Sequence, residues 1–190
     1  MRIYLAGPDV FLPDAAAIAA AKKAICARHG AEGVFPTDPI ESAAADAAES
    51  RWLEIYLRNE AHIRACDALV ANLTPFRGPS ADAGTVYELG FMRALGRPVA
   101  GYSNSGQGFT QRTRHFLGAG LRPGPGGGWA DAEGLALEDF GCHDNLMIDG
   151  GIAAAGGILV AREVPEARRW QELEGFEACV AALMRGRLAP

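Results

Sequence analysis

Short apolar runs alternate with segments of helical period along this chain. Ile3-Tyr4-Leu5-Ala6 is a buried-strand pattern closed by the breaker pair Gly7-Pro8. Pro13-Asp14 opens an alanine-rich helix with Ile18, Ala21 and Ile25 at helical spacing, stopped by His29-Gly30. Gly33-Val34-Phe35-Pro36 reads as a second strand. A helix from about Glu49 gathers Trp52, Ile55, Tyr56, Asn59 and Ile63 on one face, where the aromatic and aliphatic positions match core spacing. Ala68-Leu69-Val70-Ala71-Asn72-Leu73 is the near-continuous apolar run of a strand covered on both faces. After the turn-rich Thr74–Ser80, a helix is expected over Ala83–Leu95, ended by Gly96-Arg97-Pro98. Val99–Tyr102 and Gly157–Val160 read as the fourth and fifth strands. Asn145–Ile148 marks a short helix, and Trp170, Leu173, Phe176, Val180 and Leu183 mark a C-terminal one. Residues 103–111 are rich in Ser, Asn, Gly and Gln, and the glycine- and proline-rich 118–128 reads as a mobile loop.

Strands alternating with helices define a parallel α/β sheet. Five strands in one domain spanning residues 1–190 predict a flavodoxin-like doubly wound sheet with helices on both faces. Ligands of such sheets bind at the carboxyl ends of the strands. The loops Gly7–Phe11 and Thr74–Thr85 should therefore border the site.

Composition narrows the chemistry. The chain has 190 residues, 49% hydrophobic and 22% charged, an ordinary globular balance. Its net charge of −5 argues against a nucleic-acid partner held by bulk electrostatics. No apolar run reaches the roughly 18 residues of a membrane span, and the first eight residues read as strand and turn rather than signal peptide. Cys26, Cys66, Cys142 and Cys179 form no CxxC pair, and the histidines form no HExxH. The expectation is a reduced, cytoplasmic protein without metal or cofactor. Neither GxGxxG nor GxxxxGK[ST] is present, which disfavours a dinucleotide site or P-loop.

The informative stretch is Asp82-Ala83-Gly84-Thr85-Val86-Tyr87-Glu88-Leu89-Gly90, where the third strand's loop feeds a helix. Glu88 in a first helical turn would be held ionised by the helix dipole, and such a carboxylate can serve as nucleophile or base. A plain alternative exists. Thr85-x-x-Glu88 fits a capping box, and Asp82 fits a helix cap.

Several segments together resemble the nucleoside 2-deoxyribosyltransferase family. These are Ile3–Pro8, the run from Asn59 through Asp67 to Gly78, Asp82-x-Gly84-Thr85-x-x-Glu88-Leu89-Gly90, and Asp144–Ile148. The resemblance implies a homo-oligomer built from dimers that acts on a small-molecule nucleoside and nucleobase in salvage, with a lean toward purines. It implies that Glu88 attacks C1′ of a 2′-deoxynucleoside, that a covalent deoxyribosyl-enzyme forms, and that a second base or water resolves it. Asp82 would accept a hydrogen bond from the 5′-hydroxyl and disfavour a 5′-phosphate. Asn145 would reach the 5′-hydroxyl of a neighbouring subunit. Asn59 stands where some members carry a proton-donating aspartate, and an amide cannot titrate.

Tyr4 is a candidate to orient Glu88. Gly7, Asp9 and Phe11, just after the first strand, are candidates for substrate contact, with Phe11 either stacking on the base or joining the core. Asp67 and Cys66 read as structural, His62 and His115 as surface or helix residues, and Arg77 as a solvated loop arginine. A binding module without chemistry would keep the pocket and leave Glu88 as a cap.

Overall fold

The computed structural model describes residues 1–186. Five parallel strands form the central sheet in the order β2-β1-β3-β4-β7. They are β1 (Arg2–Ala6), β2 (Glu32–Val34), β3 (Ala68–Asn72), β4 (Val99–Ser103) and β7 (Leu159–Ala161). This is the flavodoxin-like order, in which the chain reverses direction across the sheet between β1 and β3. The register pairs Tyr4 with Leu69 and Leu69 with Val99, so the three central strands are aligned level with one another.

The two-residue side-chain period of a strand sorts the core into two layers. Ile3, Leu5, Ala68, Val70, Ala100 and Tyr102 pack on one face with α1 (Ala15–Arg28) and α7 (Glu174–Gly186). Tyr4, Ala6, Leu69, Ala71 and Val99 pack on the other. That second face is covered by α3 (Arg51–Ala65), α4 (Ala83–Ala94) and α6 (Leu146–Ala154). Helix α4 ends as its sequence predicts, with Gly96 in the left-handed region at φ 71°.

Helix α5 begins at Phe109 and runs to Leu117. Two expectations are corrected. The 118–128 segment is not featureless. It contains a 3-10 turn at Gly118–Gly120, and β5 (Arg122–Pro123) pairs antiparallel with β6 (Trp129–Ala130). The apolar face predicted for α3 is only partly core. Ile63 is buried, whereas Trp52 is 71% exposed and Ile55 and Tyr56 are exposed as well. A short α2 (Ala43–Asp46), capped by Ser42, precedes α3. No described helix is long and apolar enough to cross a membrane.

Candidate active site

Helices α3 and α4 lie side by side on one face of the sheet, and a cleft of about 330 Å³ opens between them. Trp52, Ile55, Tyr56, Asn59 and Glu60 come from α3, and Gly84, Tyr87, Glu88 and Phe91 from α4. The walls are mostly apolar and aromatic, with a few polar groups converging, which is the usual make-up of a small-molecule pocket. Tyr56 and Tyr87 close one side with their hydroxyls 3.0 Å apart.

The local geometry of α4 decides how Glu88 is used. The helix is capped by Asp82, whose Oδ2 accepts the Thr85 backbone N–H at 2.9 Å and the Thr85 hydroxyl at 3.0 Å. Thr85 is therefore the third helical residue and not the cap, and Glu88 sits three positions further in, in the second turn. A capping box needs its acid at the third position, so Glu88 is not a capping residue here. It instead accepts a hydrogen bond from the Tyr4 hydroxyl, 2.7 Å from Oε1. Among the described residues, no cation pairs with Glu88 and its Oε2 has no partner. Nor does the helix start hold the carboxylate ionised. Burial pushes the Glu88 carboxyl up to about 7, with the Tyr4 hydrogen bond working against that rise and the Asp82 charge adding to it. Burial, together with the Glu88 charge, drives the Tyr4 phenol well above its ordinary value, so it acts as a donor.

Asn59 and Glu88 thus line the cleft and Tyr4 is joined to Glu88, while Asp82 does not line the cleft but lies near enough for its charge to act on Glu88. Asp82 caps with Oδ2 and keeps Oδ1 unengaged among the described residues. Gly7 and Asp9 depart from the expected substrate contact. Asp9 is fully buried, with Oδ2 at 2.7 Å from Lys22 Nζ and the Asn72 amide donating to Oδ1 at 3.1 Å. Gly7 is buried beside them. A Cβ at Gly7 would approach that of Asn72 to 2.8 Å and run into the Asp9 carboxylate. Both residues therefore shape the first loop from beneath. Phe11 is neither core nor cleft wall. It is 59% exposed and stacks on Phe76 at 5.4 Å, with the Arg77 guanidinium over both rings.

Asn145 is the N-cap of α6. Its Oδ1 accepts the Met147 N–H at 3.0 Å and its amide donates to Glu138 at 2.6 Å. It lines a second groove with Ala83, Val86 and Met147, on residues of α4 other than those that carry Glu88 into the cleft. Asn145 is therefore not a wall of this chain's own cleft. His62 is buried on α3, its ring 6.4 Å from that of Tyr4, while His115 is exposed. Burial pushes the Cys66 thiol up to about 12, which makes it inert. Among the described residues no group of three or more His, Cys, Asp or Glu is arranged to hold a metal ion.

Sequence reading missed Tyr87 and Phe91 as cleft residues, and it gave Lys22, Asn72, Arg112 and Asp144 no role, although Asn72 lies in the predicted third strand and Asp144 in the late family-like segment. The first two lie one residue to either side of the Glu88-Leu89-Gly90 run, at helical spacing from Gly84, and that spacing was a usable signal. The other four act through pairings distant in sequence.

A buried carboxylate in an aromatic cleft on a doubly wound sheet is an arrangement able to hold a small molecule, and comparison with known proteins makes the class specific. The family model described as nucleoside 2-deoxyribosyltransferase matches residues 3–147, and the chain belongs to that family. An uncharacterized protein of Schizosaccharomyces pombe is 35% identical over 168 residues, covering 83% of this chain and 79% of that protein. The solved structure of a 2-desoxiribosyltransferase from Leishmania mexicana matches with a TM-score of 0.57 and 32% identity, covering 77% of this chain and 84% of that one. A conserved protein of Enterococcus faecalis V583 shares the fold, with a TM-score of 0.53 and 20% identity over 98% of each chain. Family membership makes this chain an enzyme acting on nucleosides.

Proposed function

We propose that the chain transfers 2-deoxyribose between nucleobases through a covalent deoxyribosyl-Glu88 intermediate. The observation that carries this reading is the state of Glu88, which is released from any capping role, unpaired by a cation among the described residues, and oriented by the Tyr4 hydroxyl at 2.7 Å. Such a carboxylate has one free oxygen to offer an electrophilic carbon.

In the first step Glu88 bonds to C1′ as the C1′–N bond breaks, and the bonding pair leaves with the base nitrogen. Positive charge builds on the sugar through an oxocarbenium-like transition state, which the ionised carboxylate stabilises. A substrate without a 2′-hydroxyl eases that build-up. A second base then attacks C1′ from the face the first one left, the Glu88–C1′ bond breaks, and configuration is retained. Asn59 hydrogen-bonds the base without titrating, so the proton for the leaving base comes through water or another cleft group.

Asp82 is assigned to the 5′-hydroxyl through its free Oδ1, and its charge opposes a 5′-phosphate. The aromatic walls from Trp52, Tyr56, Tyr87 and Phe91 suit a purine. Asn145, fixed at the start of α6, is assigned to the site of a second subunit in a homo-oligomer built from dimers.

Hydrolysis by the same intermediate is the second reading, favoured by the exposed rim at Trp52, which lets water into the cleft of a single chain. The test is chromatographic. Incubation with 2′-deoxyinosine and adenine yields deoxyadenosine and hypoxanthine under the transfer reading. Hypoxanthine with no new nucleoside supports hydrolysis. No change with purine or pyrimidine deoxynucleosides leaves a binding module.

A further inference from the structure

Asp144 is buried at the junction of three segments, and both of its oxygens are saturated. Oδ1 accepts the Ser80 hydroxyl and the Asn145 N–H, the latter at 2.8 Å. Oδ2 accepts the Ala81 N–H at 3.0 Å and the Arg112 guanidinium at 3.3 Å. Arg112, buried on α5, gives three further hydrogen bonds to backbone carbonyls. These are Pro79 at 2.7 Å, His143 at 2.7 Å and Gln107. Asp149 on α6 fixes the same strand of chain from the other side, accepting the N–H groups of His143 at 2.8 Å and Asp144 at 2.9 Å.

Ser80 and Ala81 immediately precede Asp82. The loop they end contains Pro75, Gly78 and Pro79, with Arg77 in the left-handed region at φ 55°, and has one internal backbone bond, Phe76 N–H to Ser80 O at 3.0 Å. Its downstream end is therefore located by Asp144 and Arg112. A buried ion pair costs desolvation that only saturated geometry offsets, and here that geometry converges on the two residues before Asp82.

We infer that Asp144, held by Arg112, is a positioning residue that sets the reach of Asp82 toward the substrate sugar and, through the adjacent Asn145, ties that reach to the start of α6. This rests on the assignment of Asp82 to the 5′-hydroxyl. A strut of this kind differs from an ordinary core ion pair in what it controls. Loosening it degrades recognition of one substrate group, whereas a core pair contributes to stability alone.

The test compares 2′-deoxyinosine with 2′,5′-dideoxyinosine on wild type, D82N, S80A and D144N, with the melting temperature of each variant. Wild type prefers the 5′-hydroxyl by about 10- to 100-fold in kcat/KM, the range of a hydrogen bond to a charged group. In S80A and D144N the rate on 2′-deoxyinosine falls by about tenfold or more while the dideoxy substrate is little affected, so the preference collapses. S80A leaves the ion pair in place, so the comparison stands if D144N does not fold. A lowered melting temperature with the preference intact overturns the inference and makes the pair merely structural. If D82N collapses the preference and S80A and D144N keep it, only the inference fails. If wild type and D82N treat the two substrates alike, the assignment of Asp82 is wrong and the inference falls with it.

Discussion

The Tyr4 hydroxyl and Glu88 Oε1 lie 2.7 Å apart across the seam between β1 and α4, joining the first strand to the helix 84 residues later. That hydrogen bond is the one influence at the site that lowers the Glu88 pKa. Y4F is therefore expected to push the carboxyl further up and to leave it less well oriented. At pH 7, kcat/KM falls about tenfold or more, as for loss of a charge-assisted hydrogen bond. The acid limb of the pH–rate profile moves to higher pH, and part of the loss is recovered there. An unshifted limb would show that Tyr4 only packs.

The raised Glu88 pKa also predicts a pH-dependent stability. In the folded protein the carboxyl keeps its proton up to about 7 against an ordinary 4.5, so folding is favoured while the proton is bound. This contribution is complete below about 4.5 and is lost as pH rises through 7. The displacement is worth up to about 3 kcal/mol. E88Q is permanently neutral, so its stability relative to wild type is expected to increase across pH 4.5–8. Urea unfolding at several pH values checks it, and a flat difference would contradict burial as the cause.

Asp82 caps α4 and is proposed to receive the sugar 5′-hydroxyl, and D82N separates the two. Asparagine caps a helix about as well as aspartate, so stability should stay within about 0.5 kcal/mol of wild type, as for a substitution that keeps its hydrogen bonds. The negative charge that raises the Glu88 pKa is removed. The acid limb of the rate profile therefore shifts to lower pH, opposite to Y4F. Turnover of a free deoxynucleoside falls even so, because the amide no longer offers a charged acceptor. A destabilised D82N with normal turnover would leave Asp82 as a cap alone.

The strand pattern was the legible part of this chain, because the central runs are buried on both faces and nothing competes with that signal. The cleft was less so. Trp52, Ile55 and Tyr56 share an apolar helical face with Ile63, and periodicity cannot say that the far end of that face borders a cavity rather than the core. The capping ambiguity at Thr85 and Glu88 turned on a shift of three residues, decided by which acceptor meets the first free N–H groups. Asp9 looked like a substrate contact because it follows the first strand. Its partner Lys22 lies inside a helix whose pattern gives no hint of an inward-facing charge.

Lys22 and Asp9 form an ion pair with almost no exposure, 2.7 Å apart. The Lys22 ammonium also lies about 5.5 Å from the rings of Tyr102 and Phe176. K22M would leave the Asp9 carboxylate buried without a counter-charge and is expected to cost about 3–5 kcal/mol. K22M/D9N, neutral at both positions, should lose distinctly less. Equal losses in denaturant unfolding would mean that packing, not charge, holds the first loop.

The central claim is that Glu88 becomes bonded to the sugar, and mass spectrometry tests it most directly. The enzyme is mixed with 2′-deoxyinosine without an acceptor base, quenched, and digested. The account predicts one deoxyribosyl increment on the peptide containing Glu88, absent in E88Q, which also loses turnover. Continued turnover by E88Q, with no increment on the wild-type peptide at any quench time, would contradict it.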